Sequence, residues 1–329
     1  MKKLSIIFVF LVALSACSSE KDGGRSSGEE RILPSSTGTH SEMLIVVKNE
    51  LWEGVLGEDI REAFSVTQYG LPQNEPIFRL AQLDPSELSM VMKRSKSLLW
   101  IEVADTQYFS VARNVFSKPQ MMATVIGKSP KSISRILKAK SSEIIASFRK
   151  SDREILIQRL KKSSYRELPI SFKDVGIQKM VLLQGFQNTV DNDEVKIFWL
   201  DGIKTTQGLL VTRRPATENV LPGQDIVSFR DSLTKKYIQG GNDQSYVAIE
   251  KLIPPLQTNT EIDGHFAIET RGLWQTEGDF MGGPFLSYSI YLDDTDEILT
   301  LDGFVYGPQA KKRPIMMELE AMMKSIKIK

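Results

Sequence analysis

Residues 129–163 read SPKSISRILKAKSSEIIASFRKSDREILIQRLKKS, the longest helical pattern in the chain. Ser129 and Pro130 are typical of a helix start, as N-cap and first helical residue. The apolar residues that follow recur at the spacing of one helix face, since they are Ile133, Leu137, Ile144, Phe148, Ile155 and Leu160. The pattern therefore predicts one long helix that divides the chain and buries a single apolar stripe.

The opposite face of this helix is basic. Residues 128–166 hold twelve Lys or Arg against three acids, Glu143, Asp152 and Glu154. A solvated helix face explains this, and so does a contact for anionic lipid head groups, lipopolysaccharide or an acidic partner. The candidate contact residues are Lys131, Arg135, Lys138 and Arg149. The interrupting acids, the lack of interleaved aromatics and a net charge of only +1 exclude a nucleic-acid surface.

Short strands and helices flank the long helix on both sides. Before it, the pattern predicts strands at 43–47, 77–80, 98–103, 108–115 and 121–126, and helices at 53–66 and 84–94. After it, the pattern predicts strands at 179–186, 195–200, 208–213, 246–253, 265–269, 285–292 and 298–305, and helices at 225–238 and 314–326. Regular βαβ alternation is missing, so the predicted fold is α+β, with mostly antiparallel sheets and packed helices. We expect two subdomains, 40–166 and 167–329, separated by the basic helix.

The N-terminus carries an export signal. Lys2 and Lys3 precede an apolar run at 4–14, too short to span a bilayer and typical of a signal peptide. Leu14-Ser15-Ala16-Cys17 then resembles the bacterial lipobox, which implies a signal peptide over 1–16 and a lipid on the only cysteine, Cys17. An ordinary signal peptide cut near Ala16 is the alternative. The lipid chains would anchor the protein without a spanning helix.

Residues 17–39 are predicted to be the lipidated cysteine and a disordered tether. Residues 18–31 contain no apolar side chain, so they cannot bury surface to offset their ordering entropy. Ser18 after the cysteine favours transfer to the outer membrane, by analogy with lipoprotein sorting. We therefore expect an outer-membrane protein, lipid-anchored, on the periplasmic face or the cell surface.

Signatures of catalysis and of metal binding are weak. A lone cysteine placed for lipidation and two histidines leave little for nucleophilic or zinc chemistry. His40 lies at the edge of the predicted tether, and His265 lies at a turn, where we expect a structural or surface residue. The acidic run 293–297 lacks the spacing of a calcium loop and fits a hairpin turn. We expect no cofactor, no metal and no catalytic residue that the sequence can identify.

Residues 278–284, GDFMGGP, have the most unusual local composition. Adjacent glycines can direct backbone N–H groups at an anion or let a ligand approach closely. Asp279, Gly282 and Gly283 are therefore a weak candidate for a loop site. A wide turn between two strands of a sheet explains the same residues.

Several motifs together resemble one family. They are Leu33-Pro34-Ser35-Ser36-Thr37-Gly38, Trp52-Glu53-Gly54, Leu56-Gly57, Gly70-Leu71-Pro72-Gln73, Glu75-Pro76, Met281-Gly282-Gly283-Pro284-Phe285, Leu301-Asp302-Gly303-Phe304-Val305-Tyr306 and Lys311-Lys312-Arg313. In this order they resemble a Bacteroidota lipoprotein family known as domain of unknown function 4837, over essentially the whole chain after the tether. The resemblance implies an envelope lipoprotein, and it implies no activity or catalytic residues.

These observations favour a lipid-anchored envelope protein that acts by non-catalytic binding. The expected partners are the membrane, through the anchor, and an envelope protein or anionic envelope molecule. Two alternatives remain open. A hydrolase of envelope polymer would need a cleft with two or more acids of raised pKa. A small-ligand carrier or sensor would need a closed apolar pocket.

Overall fold

The first half of the folded chain builds a mixed five-stranded sheet. The computed structural model describes residues 32–216, 225–242 and 244–329. The elements of this half are β1 (Glu42–Val46), α1 (Asn49–Trp52), α2 (Val55–Phe64), β2 (Arg79–Leu83), β3 (Ser97–Val103), β4 (Tyr108–Arg113) and β5 (Met121–Gly127). The strand order is β2-β1-β3-β5-β4. The first four strands in that order run parallel, and only β4 pairs antiparallel.

The long helix α3 (Pro130–Leu160) follows directly and contributes to two cores. Its first turn is closed by a capping box, in which the Ser129 hydroxyl accepts from the Ser132 N–H at 3.3 Å. Its first five turns pack Ile133 and Phe148 against the five-stranded sheet. Its last turns place Leu156 and Leu160 in the core of the second half. The predicted long helix is therefore confirmed.

The second half centres on an antiparallel sheet of eight strands. Its elements are α4 (Ile170–Asp174), β6 (Ile177–Lys179), β7 (Gln187–Asp191), β8 (Lys196–Asp201), β9 (Thr206–Pro215), α5 (Ile226–Tyr237), β10 (Tyr246–Ile249), β11 (Leu256–Ile262), β12 (His265–Glu277), β13 (Gly282–Leu292), β14 (Glu297–Tyr306), α6 (Arg313–Met323) and β15 (Lys327–Ile328). The order is β10-β12-β13-β14-β9-β8-β7, with β11 also on β12. Strands β6 and β15 form a separate pair.

Helices cover both faces of the eight-stranded sheet. On β14, Leu301 and Val305 face the core that contains α6. Phe304 faces the core that contains α5. On the α5 side, Arg230 donates from Nε to Oδ2 of the buried Asp302 at 2.9 Å. This alternation follows from the two-residue period of a strand, and it explains why the central strands β13 and β14 are buried almost throughout.

The α+β class with mostly antiparallel sheets is confirmed, and three local predictions differ. The N-terminal sheet is largely parallel. The predicted helix at 84–94 consists of two 3-10 turns, Pro85–Glu87 and Met92–Arg94, because Leu88 is extended and ends the first turn. The predicted strand at 179–186 belongs to a ladder only at Lys179, the end of β6, and otherwise forms one isolated bridge from Leu183 to Ser164, although Leu182 and Phe186 are buried. Their apolar pattern reflects burial rather than ladder pairing.

The segment before β1 lies against the N-terminal sheet. The Pro34 carbonyl accepts from the Lys118 N–H at 2.9 Å, and the Thr37 N–H donates to the Arg94 carbonyl at 2.9 Å. Backbone pairing along the chain thus begins before the predicted subdomain start at residue 40. Across the described ranges, each helix is too short or too polar to cross a membrane.

Candidate functional site

The structure separates the four basic residues that the sequence grouped on α3. Lys131, Arg135 and Lys138 are exposed and share one face of the helix by their spacing. Arg149 lies eleven residues beyond Lys138, about 16 Å along the axis. Its Nη2 lies 3.2 Å from Oε2 of Glu320 on α6, so this guanidinium belongs to an internal ion network.

The glycine-rich loop is a structural connection. The Asp279 carboxylate accepts from the Gly241 N–H at 2.9 Å, which ties two loops together. Gly282 and Gly283 are the first residues of β13 rather than loop residues. A β-carbon at Gly283 would lie 2.0 Å from the carbonyl oxygen of Val305, so this glycine is required by the close approach of the neighbouring strand.

The remaining sequence candidates fall at turns or outside the described residues. Cys17 belongs to the latter group. The Nδ1 of His265 lies 3.6 Å from Oδ1 of Asp293, and both residues are at the surface. The acidic run connects β13 to β14, where Tyr291 donates to Asp296 at 3.0 Å. Among the described residues, no group of three or more His, Cys, Asp or Glu side chains lies close enough together to hold a metal ion.

A cleft lined by cations lies where α3, α6, β2 and the segment before β1 meet. Its charged lining is His40, Arg79, Arg159, Lys311, Arg313 and Glu318, and we call it the cationic cleft. Its volume is about 240 Å³. Leu156, Pro314 and Met317 add an apolar surface. With histidine neutral, the lining carries four positive charges and one negative charge.

Two of the cations are held by carboxylates. Arg79 forms an ion pair with Glu42 and donates to the Thr39 hydroxyl at 3.2 Å. Arg159 donates from Nη2 to Oε1 of Glu318 at 2.7 Å. Burial raises the pKa of Glu318, and the nearby Arg159 and His40 partly offset that effect. These pairs fix the walls of the cleft.

The other two cations lie at the start of α6. The carboxylate of the buried Glu75 accepts from the backbone N–H groups of Lys312 and Arg313, at 2.7 and 3.2 Å. Arg313 also donates from Nη1 to the Pro76 carbonyl. Glu75-Pro76 and Lys311-Lys312-Arg313, motifs far apart in the sequence, therefore meet here. Glu75 satisfies the first orphan donors of the helix, as an N-terminal carboxylate does.

Arg313 is buried, with unused hydrogen-bonding capacity. It is 7% exposed, and its Nε has no hydrogen-bond partner. Burial lowers the pKa of this guanidinium, while the charge of Glu75 acts in the opposite direction. Lys311, by contrast, is exposed, and within the described residues it makes neither a hydrogen bond nor an ion pair.

His40 is positioned beside a buried carboxylate. Its Nδ1 lies 3.5 Å from Oδ1 of Asp152, a residue of α3 that is 1% exposed. The other oxygen of Asp152 accepts from the Ser41 N–H at 2.8 Å. The sequence placed His40 at the edge of a disordered tether. The structure instead ties the neighbouring Ser41 to α3 and places the His40 ring at the cleft.

A buried ion network, the Glu320 network, lies behind the cleft. Glu320 of α6 contacts Arg149 and Arg153 of α3, each at 3.2 Å, and Arg271 of β12 at 2.7 Å. Arg271 also pairs with Glu269 at 2.5 Å. Burial alone would raise the pKa of Glu320, but the three arginines outweigh it and hold that pKa far below its usual range.

A cavity of about 20 Å³ lies between the Glu320 network and the cleft. It is lined by Arg149, Arg153 and Glu320, and it shares Leu156 and Met317 with the cationic cleft. This is room for about one water molecule. The network thus lies behind the cleft, beside a space too small for a ligand larger than water.

Sequence reasoning missed the cleft because its residues come from four separate segments. The only local signals were the triplet Lys311-Lys312-Arg313 at a helix start and the pairing of its motif with Glu75-Pro76 in the family resemblance. Neither signal says that the two segments touch. That contact spans 237 residues of sequence.

Comparisons with known proteins bring two family matches. Residues 177–325 match the family model described as domain of unknown function DUF4837. Residues 36–161 match a different model, domain of unknown function DUF8532. The first match therefore covers the C-terminal part rather than the whole chain after the predicted tether. The curated proteins contain no match to this sequence.

Among solved structures, one similar chain is a protein of unknown function, PA94, from Pseudomonas aeruginosa. It is 17% identical, with a TM-score of 0.27, and the similarity covers 43% of this chain and 87% of that chain.

Proposed function

We propose that this protein is a lipid-anchored component of the bacterial cell envelope that acts by binding an anionic envelope molecule in the cationic cleft. The lipobox-like Leu14-Ser15-Ala16-Cys17 supports the anchor and the outer-membrane location. The cleft supports the binding.

The observation that carries the proposal is the combination of Lys311 and Arg313 at one wall of an open cleft. The side chains of both cations form no hydrogen bond with a carboxylate among the described residues, whereas Arg79 and Arg159 are paired. Charge-assisted hydrogen bonds to an anion are about twice as strong as neutral ones. A cleft with two available cations, and with walls held by ion pairs, is suited to bind an anion without catalysing a reaction on it.

The geometry favours binding over carboxylate-dependent hydrolysis. A hydrolase of the predicted kind needs two acids of raised pKa in one cleft. Among the described residues, the carboxyl groups with raised pKa are Glu318 and Asp302. Glu318 lines the cleft on α6. Asp302 is buried on the opposite face of the eight-stranded sheet, under α5, where it pairs with Arg230.

Binding is tested on the purified protein in detergent with a panel of anions. We expect at least one of phosphate, sulfate, gluconate or polygalacturonate to raise the melting temperature in a concentration-dependent manner, since a ligand that binds only the native state stabilises it. Lys311→Glu should abolish the increase. Lys138→Glu, on the exposed face of α3, is the matched control and should retain it. An equal response in both variants would reject the cleft as the binding site.

The anchor is tested separately. Cells fed a labelled fatty acid should incorporate the label into the wild-type protein. Cys17→Ser should abolish labelling, since the thiol that would carry the lipid is absent. Labelling that persists in Cys17→Ser would contradict lipidation at this residue.

A further inference from the structure

We propose that the anion taken by the cationic cleft is a phosphomonoester, held by Lys311, Arg313 and His40. The inference rests on the proposed function and names the chemical class of its ligand. It follows from the cations without a carboxylate partner, the donor groups of the lining, and the size and apolar surface of the cleft.

The side chains without a carboxylate partner favour a dianion. Arg79 and Arg159 are paired with Glu42 and Glu318. Lys311 and Arg313 are the two cations of the lining whose side chains lack such a partner. The buried carboxylates Glu75 and Asp152 lie behind the lining and act on Arg313 through their charge, but their hydrogen bonds are to backbone N–H groups, so the side-chain donors of both cations stay available. A phosphomonoester carries close to two negative charges at neutral pH, whereas a carboxylate carries one.

The donors outnumber the oxygens of a carboxylate. Lys311 offers an ammonium group, Arg313 offers Nη2 of a guanidinium whose Nη1 holds the Pro76 carbonyl, and His40 offers Nε2 of a ring whose Nδ1 faces Asp152. A carboxylate presents its two oxygens in one plane, whereas the three terminal oxygens of a phosphomonoester point in three directions and suit donors from separate segments. Guanidinium groups also match the geometry of phosphate oxygens. One oxygen for each donor group is therefore the better fit.

The apolar surface indicates that the phosphate is attached to a carbon skeleton. A volume of about 240 Å³ exceeds what a single phosphate needs, and Leu156, Pro314 and Met317 line the remainder. Such a surface suits the apolar face of a sugar ring. The phosphate chemistry is shared by a phosphorylated sugar and by free phosphate, and the experiment separates these two sources.

The test is calorimetric titration of the full-length protein in detergent. The probes are glucose 1-phosphate, inorganic phosphate, and gluconate as the carboxylate of similar size. We expect glucose 1-phosphate to bind at least about tenfold more tightly than gluconate. Lys311→Ala should weaken it by about tenfold or more, as loss of one hydrogen bond to a charged group does. Lys138→Ala should leave it unchanged.

A second readout follows the two histidines directly. Because the chain contains only His40 and His265, their ring proton signals can be assigned with the single variants His40→Gln and His265→Gln. Addition of glucose 1-phosphate should shift the His40 signals. The signals of His265, at the surface beside Asp293, serve as an internal control and should not move. This readout does not depend on a variant of Arg313, which is buried and holds the Pro76 carbonyl.

The outcomes separate the inference from the proposed function. Gluconate binding as tightly as glucose 1-phosphate, with loss in Lys311→Ala, would overturn the phosphomonoester and leave anion binding intact. If none of the anions binds, both the phosphomonoester inference and the proposed anion-binding function are overturned. Equal affinity for inorganic phosphate and glucose 1-phosphate would support phosphate chemistry with free phosphate as the source. If phosphate binds and the His40 signals do not shift, the assignment of the binding site to the cationic cleft is overturned.

Discussion

Glu320→Gln removes the charge at the centre of the Glu320 network without changing the shape of the side chain. In the wild-type protein this carboxylate neutralises Arg271, whose side chain is 8% exposed, and also contacts Arg149 and Arg153, which are 33% and 24% exposed. The variant leaves Arg271 with Glu269 alone, while the other two arginines can turn to water. Breaking a buried pair costs about 3–5 kcal/mol. We expect a loss of about 3 kcal/mol, at the lower end of that range.

The loss should depend on pH. The pKa of Glu320 is lower in the folded protein than the usual value of 4.5. The unfolded chain therefore binds the proton more readily, so the stabilisation is fully present above about pH 4.5 and decreases as the pH falls toward the folded pKa. The difference between wild type and Glu320→Gln should be largest at pH 7 and should shrink below pH 4.5.

Urea unfolding at pH 7 and pH 3.5 measures both effects. Glu143→Gln is the matched control, because Glu143 pairs with Lys140 at the surface, where both side chains are about half exposed. Such a pair contributes less than about 1 kcal/mol. A Glu320→Gln loss below about 1 kcal/mol at pH 7, with an unchanged denaturant slope, would refute the reasoning that this network holds α3, α6 and β12 together.

Two further predictions concern single positions. Gly283→Ala should destabilise the protein by about 3 kcal/mol or more or prevent folding, since overpacking costs about 1–3 kcal/mol and here the new carbon meets the Val305 carbonyl. Gly264→Ala, with open space around it, should cost only the strain of its positive φ, about 1–2 kcal/mol. Ser129→Ala should cost about 1 kcal/mol through loss of the α3 capping box, and Ser142→Ala, exposed inside the same helix, should cost nothing. Thermal unfolding measures all four, and a Ser129→Ala value equal to that of Ser142→Ala would contradict the capping argument.

Hydrophobic periodicity predicted the elements whose structure is determined by local interactions. Helix α3 begins at Ser129-Pro130 as expected, because capping is a local interaction. The second half is strand-rich because runs such as 285–292 are apolar and bounded by turn residues. The parallel pairing of β1 with β2 and β3 could not be predicted in this way. Pairing direction depends on the route of the chain between strands, and hydropathy does not record that route.

The candidate site shows the same limit more sharply. Counting charges on α3 identified Arg149 as a surface cation, but the residue lies where α6 brings Glu320 to it. The same count gave no special weight to Arg159, which lines the cleft. The charges along one helix predict an exposed charged surface only where no other element packs against that helix. Lys311 and His40, 271 positions apart by their numbers, become neighbours only through tertiary structure.

The double role of α3 has a consequence for how the protein can be divided. Its first half completes the core of the five-stranded sheet, and Leu156 and Leu160 complete the other core. A fragment ending at residue 161 would carry these two leucines uncovered, and a fragment beginning at 177 would lack them. Neither segment matched by a family model is thus a self-sufficient folding module. Heat or denaturant should melt both halves in one cooperative step, and a chimaera that exchanges either half must match the apolar stripe of this helix.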